Sequence, residues 1–318
     1  MEKTIIKDVL LKQNEIIEEN FIPRTIFREV KEKTPFVVII SGIRRCGKST
    51  LLNQIRTKDC YYVNFDDDRL INFTVKDFQI MYETLIELFG EKEIFLFDEI
   101  QNIKAWERFV RRLHDDKKKV FVTGSNASML SKELGTHLTG RHLAYELYPF
   151  SFKEFLKFKD YKLDSLDRLT QIEKSKIKKH FNEYLKEGGF PEYLQTNKKQ
   201  YLHTVYSNIL YRDIITRYNL PSEIPIKETV HFVASNIGKE LSFNTIRKLT
   251  GLSSATTIRE YFEYLENSYL IFLIPKYDFS LKKQHYAAKK AYFIDTGMAN
   301  EIGFRVSEDE GRLLENVV

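Results

Sequence analysis

The sequence predicts an α/β fold with a parallel sheet, followed by a helical region and a C-terminal part that contains a helix-turn-helix. Short apolar or aromatic runs recur in the first half of the chain, each followed by residues with helical spacing, at 36–40, 61–65, 94–97 and 119–123. Because this alternation is typical of parallel sheets, we expect four parallel strands here and a last one at 143–147. The helical pattern of 152–219 and the change of pattern after Lys227 indicate two further parts.

Length, charge and cysteine content limit the classes of protein that fit. The 318 residues suggest two or three domains, and 50 Lys and Arg against 45 Asp and Glu give a net charge of +5. Such a mild excess permits nucleic-acid binding without arguing for it. Cys46 and Cys60 cannot form a disulfide scaffold or a zinc site, which favours a reducing compartment. Since no apolar run approaches the ~20 residues of a membrane span, we expect a cytoplasmic protein.

Residues 42–50, directly after the first predicted strand, have the spacing of a phosphate-binding loop (P-loop), G-x-x-x-x-G-K-S/T. Its glycines let backbone N–H groups face the phosphates of a nucleotide, and the following helix adds a favourable dipole. We expect the Lys48 ammonium between the β- and γ-phosphates and the Ser49 hydroxyl on Mg²⁺. The predicted cofactors are therefore ATP and Mg²⁺. The predicted nucleotide-binding residues are Gly42, Ile43, Arg44, Arg45, Cys46, Gly47, Lys48, Ser49 and Thr50.

Two adjacent carboxylates end the apolar run at 94–97. On a strand next to the phosphate loop, Asp98 would support Mg²⁺ as the second predicted metal-binding residue beside Ser49. Glu99 would orient and polarise the attacking water, which makes it a predicted catalytic residue. Such a pair of carboxylates distinguishes ATPases that hydrolyse their nucleotide from proteins that bind a nucleotide only as a switch.

Polar side chains near the next two strands are the other predicted catalytic residues. Ser125 and Asn126 follow the strand at 119–123, where we expect them to sense the γ-phosphate, although a plain turn fits the same residues. Arg141 precedes the last strand and is predicted to reach a γ-phosphate as an arginine finger. It would act in its own subunit or in a neighbouring copy of a homo-oligomer. A surface arginine paired with an acidic residue is the alternative.

Several motifs spread over almost the whole chain resemble one family. They are GIRRCGKST, IFLFDEIQ with Trp106 after it, VTGSNAS, LTGRHLAYELYPFSFKEF, GGFPEYL and KKAYFIDTGM. Together they are similar to the AAA+ ATPases of bacteria and archaea that carry a winged helix and a C-terminal restriction-endonuclease-like domain. The resemblance implies an α/β P-loop NTPase core at 1–150, a helical lid at 151–220 and a winged helix at 221–306.

The resemblance implies two further features. Gly189-Phe190-Pro191 is similar to the G-x-P element that lays a proline against the adenine base in related signalling ATPases, so Pro191 joins the predicted nucleotide-binding residues. A plain helix start after a glycine pair is equally compatible with these residues. Residues 307–318 are similar to the first helix of the nuclease-like domain. We therefore expect a truncated C-terminal domain with Glu315 as the only remnant of a nuclease carboxylate set.

The helix-turn-helix pattern begins at Ser242, which is predicted to cap a helix through Leu249, and continues with a second helix from Ala255 to Asn267. Strands at 270–274 and 291–294 would form the wing. Its lysines are Lys282, Lys283, Lys289 and Lys290. Such basic wings suit a phosphate backbone. The second helix is net acidic, however, so double-stranded DNA and a protein partner stay open as alternatives.

We thus predict an ATPase that converts ATP and water into ADP and phosphate and uses the reaction to change its conformation. The alternative is a slow nucleotide-gated switch or adaptor, whose ATP state controls a protein partner through the winged helix. A small-molecule kinase is disfavoured by the winged helix and by the adjacent Asp98 and Glu99.

Overall fold

A computed structural model describes residues 1–15, 21–125, 138–161, 169–280, 284, 287–304 and 310–318. The chain divides into two compact units. The first consists of Met1–Gly42 and Gly47–Leu147, and the second of Ile43–Cys46 and Tyr148–Val318. Among the described residues, no helix has both the length and the apolar character needed to cross a membrane.

The first unit contains a five-stranded parallel sheet, which confirms the predicted fold class. The strands lie in the order β2-β3-β4-β1-β5. Their bounds are β1 Val37–Ser41, β2 Cys60–Asn64, β3 Ile94–Asp98, β4 Lys119–Gly124 and β5 His142–Glu146. Every residue of β1 is buried, as an interior strand of a covered parallel sheet requires.

The strand register places the carboxyl ends of β1, β2, β3 and β4 at one edge of the sheet. Ser41 of β1 lies opposite Gly124 of β4, and Asn64 of β2 opposite Asp98 of β3. The loops after these strands therefore share one edge of the sheet, where ligands of open α/β sheets bind. We call it the phosphate edge.

The helices of the first unit are α1 Lys3–Gln13, α2 Phe27–Lys31, α3 Lys48–Ile55, α4 Phe78–Phe89 and α5 Trp106–Asp115, with short 3₁₀ turns at Asp68–Leu70, Val75–Asp77 and Ile100–Asn102. One face of α5 is apolar and buried, and it is formed by Trp106, Phe109, Val110 and Leu113. Phe109 stacks on Phe78 of α4 with ring centroids 4.5 Å apart. Contacts of this kind bury large apolar areas and hold the helices on the sheet.

The second unit begins with the predicted helical region. Its helices are α6 Phe152–Phe158, α7 Gln171–Glu187, α8 Pro191–Thr196, α9 Lys199–Asn208 and α10 Thr216–Tyr218. A π-helical segment at Ile209–Ile215 joins α9 to α10, a feature that the sequence analysis did not predict. The helical region is interrupted at Gly188, Gly189 and Pro191, because α7 ends before this glycine pair and α8 starts at the proline.

The C-terminal part combines helices with a three-stranded antiparallel sheet of order β6-β8-β7. Its elements are α11 Ile224–Ser235, β6 Glu240–Leu241, α12 Phe243–Leu249, α13 Ala255–Asn267, β7 Ile271–Pro275, β8 Lys289–Phe293, α14 Thr296–Ile302 and α15 Glu310–Val317. The two helices of the predicted helix-turn-helix are present. Ser254 caps α13 by accepting from the Thr256 N–H, whereas Ser242 lies at the predicted N-cap position of α12 without a side-chain capping bond.

Candidate nucleotide-binding site

The phosphate loop connects β1 to α3 through backbone conformations that favour glycine. Gly47 has a φ of 102° and lies directly before α3, while the non-glycine Arg45 has a φ of 67°. A side chain at Gly47 would be strained, and its Cβ would lie 3.3 Å from Nη1 of Arg24. The helix begins at once, since the Leu51 N–H donates to the Gly47 carbonyl over 2.9 Å. The start of α3 therefore favours an anion, because the N–H groups in the first turn of a helix have no intrahelical acceptor.

Lys48 lies inside the loop rather than extending into solvent. Its side chain is 3% exposed, and its ammonium donates to the Gly42 carbonyl over 3.0 Å. The Glu99 carboxylate lies 3.6 Å away and compensates the buried charge. The ammonium therefore contacts both Gly42, at the start of the loop, and Glu99, directly after β3.

Asp98 is fully buried at the end of β3 and is surrounded by hydroxyl groups. Tyr62 donates to one carboxylate oxygen over 3.0 Å and Thr123 donates to the other. The Ser49 side chain also bonds to this carboxylate, although residue 49 is itself exposed. Burial, together with the charge of Glu99, raises the pKa of the Asp98 carboxyl above its ordinary value.

The Asp98 and Ser49 pair fits a Mg²⁺ site. Mg²⁺ prefers oxygen ligands, keeps several waters and commonly takes only one or two protein groups beside the phosphates. An exposed hydroxyl bonded to a buried carboxylate of raised pKa provides both oxygen donors, and a cation there would favour the ionised form of Asp98. Within the described residues, no three His, Cys, Asp or Glu side chains gather as a metal cluster of the all-protein type.

Glu99 follows Asp98 in a left-handed conformation, with a φ of 51°. Such a backbone is uncommon for a residue other than glycine and is found at functional sites where neighbours hold it in place. Its N–H donates to the Thr123 hydroxyl over 3.0 Å, and Gln101 donates to its carboxylate. The side chain remains 13% exposed, so the carboxylate can meet a water molecule.

Ser125 follows β4 on the same edge of the sheet. The residue is 1% exposed, and among the described residues its hydroxyl oxygen has no hydrogen-bond partner. A buried hydroxyl without a partner costs free energy, which is tolerated where a ligand supplies the missing bond. Asn126, the second residue predicted to sense the γ-phosphate, lies outside the described residues.

Arg141 does not lie at the phosphate edge. Residue 142 pairs with Val37, the first residue of β1, so Arg141 lies at the amino edge of the parallel sheet. Its Nε lies 3.7 Å from the Asp115 carboxylate, and its side chain is 38% exposed. The prediction that Arg141 reaches the nucleotide of its own chain is wrong, because the loop follows the opposite end of β1. The action in a neighbouring copy stays a prediction.

The remaining loop residues, Ile43 to Cys46, group with the second unit. Ile43 and Cys46 are buried, and the Cys46 N–H donates to the Ile43 carbonyl over 3.4 Å. Arg44 forms an ion pair with Asp213, and Arg45 lies 3.6 Å from Glu192 in α8. Thr50, in the first turn of α3, is half-buried.

A buried carboxylate in the second unit joins two of the motifs that carried the resemblance. Asp295 accepts from the Gly189 N–H over 2.6 Å and from the Met298 N–H over 2.8 Å. A Cβ at Gly189 would lie 2.2 Å from the Phe150 carbonyl, and one at Gly297 would lie 2.0 Å from the Glu187 carbonyl. These glycines permit close approach of backbones, so GGFPEYL and FIDTGM form one structural joint. The sequence analysis missed this joint.

Pro191, two residues beyond Gly189, is the first residue of α8, where its fixed φ suits a helix start. Glu315, for which the role of a nuclease remnant stays a prediction, contacts the C-terminal sheet. It accepts from the Lys290 ammonium and the Tyr292 hydroxyl, each over 2.6 Å. The neighbouring Asn316 bonds both backbone groups of Phe293. These contacts attach α15 to β8.

The sheet order, the phosphate loop and the carboxylates at the end of β3 define the class: the first unit has the fold of an AAA-type P-loop ATPase. Residues 34–156 match the family model of an AAA domain, and residues 178–309 match a domain of unknown function (DUF8612). A Walker-type ATPase of Pyrococcus abyssi has a TM-score of 0.55 at 16% identity, over 91% of this chain and 97% of that one.

Two relatives are similar over nearly the whole chain. An uncharacterized protein of Methanocaldococcus jannaschii is 36% identical over 99% of this chain and 73% of its own length. An uncharacterized protein of Haemophilus influenzae is 32% identical over 95% of this chain and 77% of its own length. The chain therefore belongs to the same family as these two proteins and contains an AAA domain.

Proposed function

We propose that the protein binds ATP with Mg²⁺ and hydrolyses it to ADP and phosphate. The observation that carries the proposal is the convergence of Lys48, Asp98 and Glu99 beside the N-terminus of α3. Phosphate-loop sites position phosphates by backbone N–H groups and a lysine, and the adjacent carboxylates serve the metal and the water. Ionised Asp98 and the Ser49 hydroxyl would hold Mg²⁺, which spreads the charge that develops on the phosphate oxygens.

In this proposal the residues of the chain activate the attacking water and compensate the negative charge of the phosphates. Glu99 takes a proton from a water whose oxygen forms a bond to the γ-phosphorus. The bond from the γ-phosphorus to the bridging oxygen breaks and leaves ADP. Lys48 compensates the charge on the β- and γ-phosphates, and the buried Ser125 hydroxyl donates to a γ-phosphate oxygen.

Three finer parts of the proposal concern Pro191, the C-terminal elements and Arg141. We propose that Pro191 packs against the adenine base, supported by the proximity of its neighbour Glu192 to Arg45 of the loop. The succession α11, β6, α12, α13, β7 and β8 supports a winged helix. We propose that Arg141 acts on a nucleotide bound by a second copy, because its guanidinium is partly exposed at the amino edge.

A second candidate function is a nucleotide-gated switch or adaptor. The observation that favours it is the exposed face of α13, which carries one arginine, Arg259, against Glu260, Glu263 and Glu266. A net acidic surface disfavours the phosphates of double-stranded DNA and suits a basic protein partner. In this alternative the ATP state controls the partner, and turnover is negligible.

Phosphate release from Mg-ATP separates the two functions. The variant is Glu99→Gln, and the matched control is Glu93→Gln, an exposed carboxylate just before the other end of β3 that pairs with Lys118. An ATPase loses about a hundredfold or more of its turnover in Glu99→Gln while ATP stays bound, and Glu93→Gln stays near wild type. Negligible turnover in all three proteins, with ATP bound, would reject the hydrolase and leave the switch. Double-stranded DNA added at low and at physiological salt tests whether DNA stimulates turnover.

A further inference from the structure

The strongest unexplained feature is a buried ion pair between the phosphate loop and the π-helical segment Ile209–Ile215. Arg44 donates from Nε to one oxygen of Asp213 and from Nη2 to the other, each over 3.0 Å. The Asp213 side chain is 2% exposed and that of Arg44 is 13% exposed. This two-bond geometry fixes the orientation of the guanidinium as well as its position.

The surroundings of Asp213 make Arg44 its main partner. Arg217 of the following helix approaches with Nη2 at 3.9 Å, beyond hydrogen-bond distance. A buried carboxylate that loses its close cation is strongly destabilised, because solvent cannot replace the partner. By contrast, the next loop residue, Arg45, pairs with Glu192 at 3.6 Å between side chains that are 58% and 49% exposed. An exposed pair of this kind contributes little.

The backbone conformations beside Arg44 and at Asp213 both indicate that this ion pair positions the phosphate loop. The loop holds Arg45 in a left-handed conformation that is unfavourable for a non-glycine residue, so its neighbours must hold it in place. Asp213 lies in a π-helical stretch, a form of helix that is rare and occurs frequently at functional sites. The buried side chains of Ile209, Leu210 and Ile214 anchor this stretch.

We propose that Asp213 is a positioning residue for nucleotide binding: through Arg44 it holds residues 43–46 in the conformation that receives the phosphates. This inference rests on the proposed function of the loop as the ATP site. It implies that a change in the π-helical segment alters ATP affinity, although Asp213 itself touches no nucleotide. Binding and the π-helical segment are then coupled through one ion pair.

The test measures the Kd of a fluorescent ATP analogue with Mg²⁺, the KM and kcat of phosphate release, and the Tm of each variant. Asp213→Asn keeps the size of the side chain and removes its charge. We expect about a tenfold rise in Kd and KM with kcat changed less than about threefold. Glu192→Gln, which disrupts the exposed pair on the same loop, is the matched control and is expected to keep the wild-type Kd.

Arg44→Lys is the second variant, in case Asp213→Asn does not fold. Lysine keeps the charge but loses the two-bond geometry, so we expect Kd to rise about fivefold. A Kd within about twofold of wild type in a folded Arg44→Lys, or within threefold in a folded Asp213→Asn, would overturn the inference. A fall in Tm without a change in Kd would show a structural role only. Failure of the wild type to bind the analogue would instead reject the proposed function.

Discussion

Two buried acids, one in each unit, show that similar burial can serve different roles. Asp98 and Asp295 both have a carboxyl pKa raised by burial. The partners of Asp98 are side-chain hydroxyls, and one of them belongs to the exposed Ser49. The partners of Asp295 are backbone N–H groups, which fix chain segments. The Asp98 carboxylate thus has a partner at the protein surface, whereas the Asp295 carboxylate fixes two chain segments.

The comparison also separates two kinds of glycine. Gly47 allows a left-handed turn beside the proposed phosphate site, whereas Gly189 and Gly297 allow backbones to approach each other at the Asp295 joint. Changes at the phosphate edge should therefore alter nucleotide binding and turnover with little loss of stability. Changes at the Asp295 joint should mainly lower the free energy of unfolding. The predictions below test this separation, beginning with the largest expected effect.

Lys48→Ala should have the largest effect. It removes the buried ammonium beside Glu99 and leaves that carboxylate without its compensating charge. We expect phosphate release to fall about a thousandfold, with ATP binding weakened as well. Steady-state release and analogue binding measure the effect. A turnover near the wild-type value would contradict the assignment of the site.

Gly297→Ala should destabilise the second unit by about 3 kcal/mol or more, since the new Cβ would lie 2.0 Å from the Glu187 carbonyl. Gly251→Ala is the control, because no atom lies within 4 Å of its Cβ and only the φ of 66° is unfavourable. There we expect about 1 kcal/mol. Thermal and denaturant unfolding would compare them, and equal losses would argue against the close backbone approach.

The pH dependence of stability should report Asp295. Burial, partly offset by bonds from backbone N–H groups, raises the pKa of its carboxyl from 3.8 to about 6. The folded state then binds the proton more tightly than the unfolded state. The resulting stability is complete below pH 3.8 and is lost as the pH rises through about 6. A neutral side chain at position 295 does not titrate in this range, so the protein would not lose stability in this way.

Asp295→Asn isolates that contribution. On going from about pH 4 to about pH 7, the unfolding free energy of the variant should improve relative to wild type by about 2 kcal/mol. Unfolding curves of the two proteins at several pH values would give the difference. If the difference stays constant across this range, the carboxyl of Asp295 titrates normally.

Ser125→Ala should have the smallest effect and should move two properties in opposite directions. Loss of a buried hydroxyl that has no partner among the described residues should leave stability unchanged or raise it by up to about 1 kcal/mol. Turnover should fall about fivefold if the hydroxyl meets the γ-phosphate. An unchanged turnover would remove Ser125 from the proposed mechanism.

The sequence predicted the phosphate edge because its parts are local. An apolar run followed by a phosphate-loop spacing or by Asp98-Glu99 specifies both a strand and the residues at its end. Since parallel strands end at one edge, separate motifs were brought together without any knowledge of packing. The same logic corrects Arg141: it precedes β5, so in a parallel sheet it must lie at the amino edge.

The parts that were missed depend on contacts between distant residues. Arg44 and Asp213 are 169 residues apart, and Gly189 and Asp295 are 106 apart, so no local spacing connects them. A signal was present, since Asp213 lies within the apolar stretch ILYRDII, where a charged residue needs a partner. Only the fold identifies that partner.

The central claim is that the phosphate edge transfers the γ-phosphoryl group of ATP to water. The decisive measurement is phosphate release with enzyme in excess over Mg-ATP, in water enriched in ¹⁸O. Wild type and Glu99→Gln are compared under these conditions. Wild type should release phosphate that carries solvent oxygen, whereas Glu99→Gln should bind the ATP but release phosphate at least about a hundredfold more slowly. ATP that stays bound and intact in the wild type, or phosphate released without solvent oxygen, would contradict the claim.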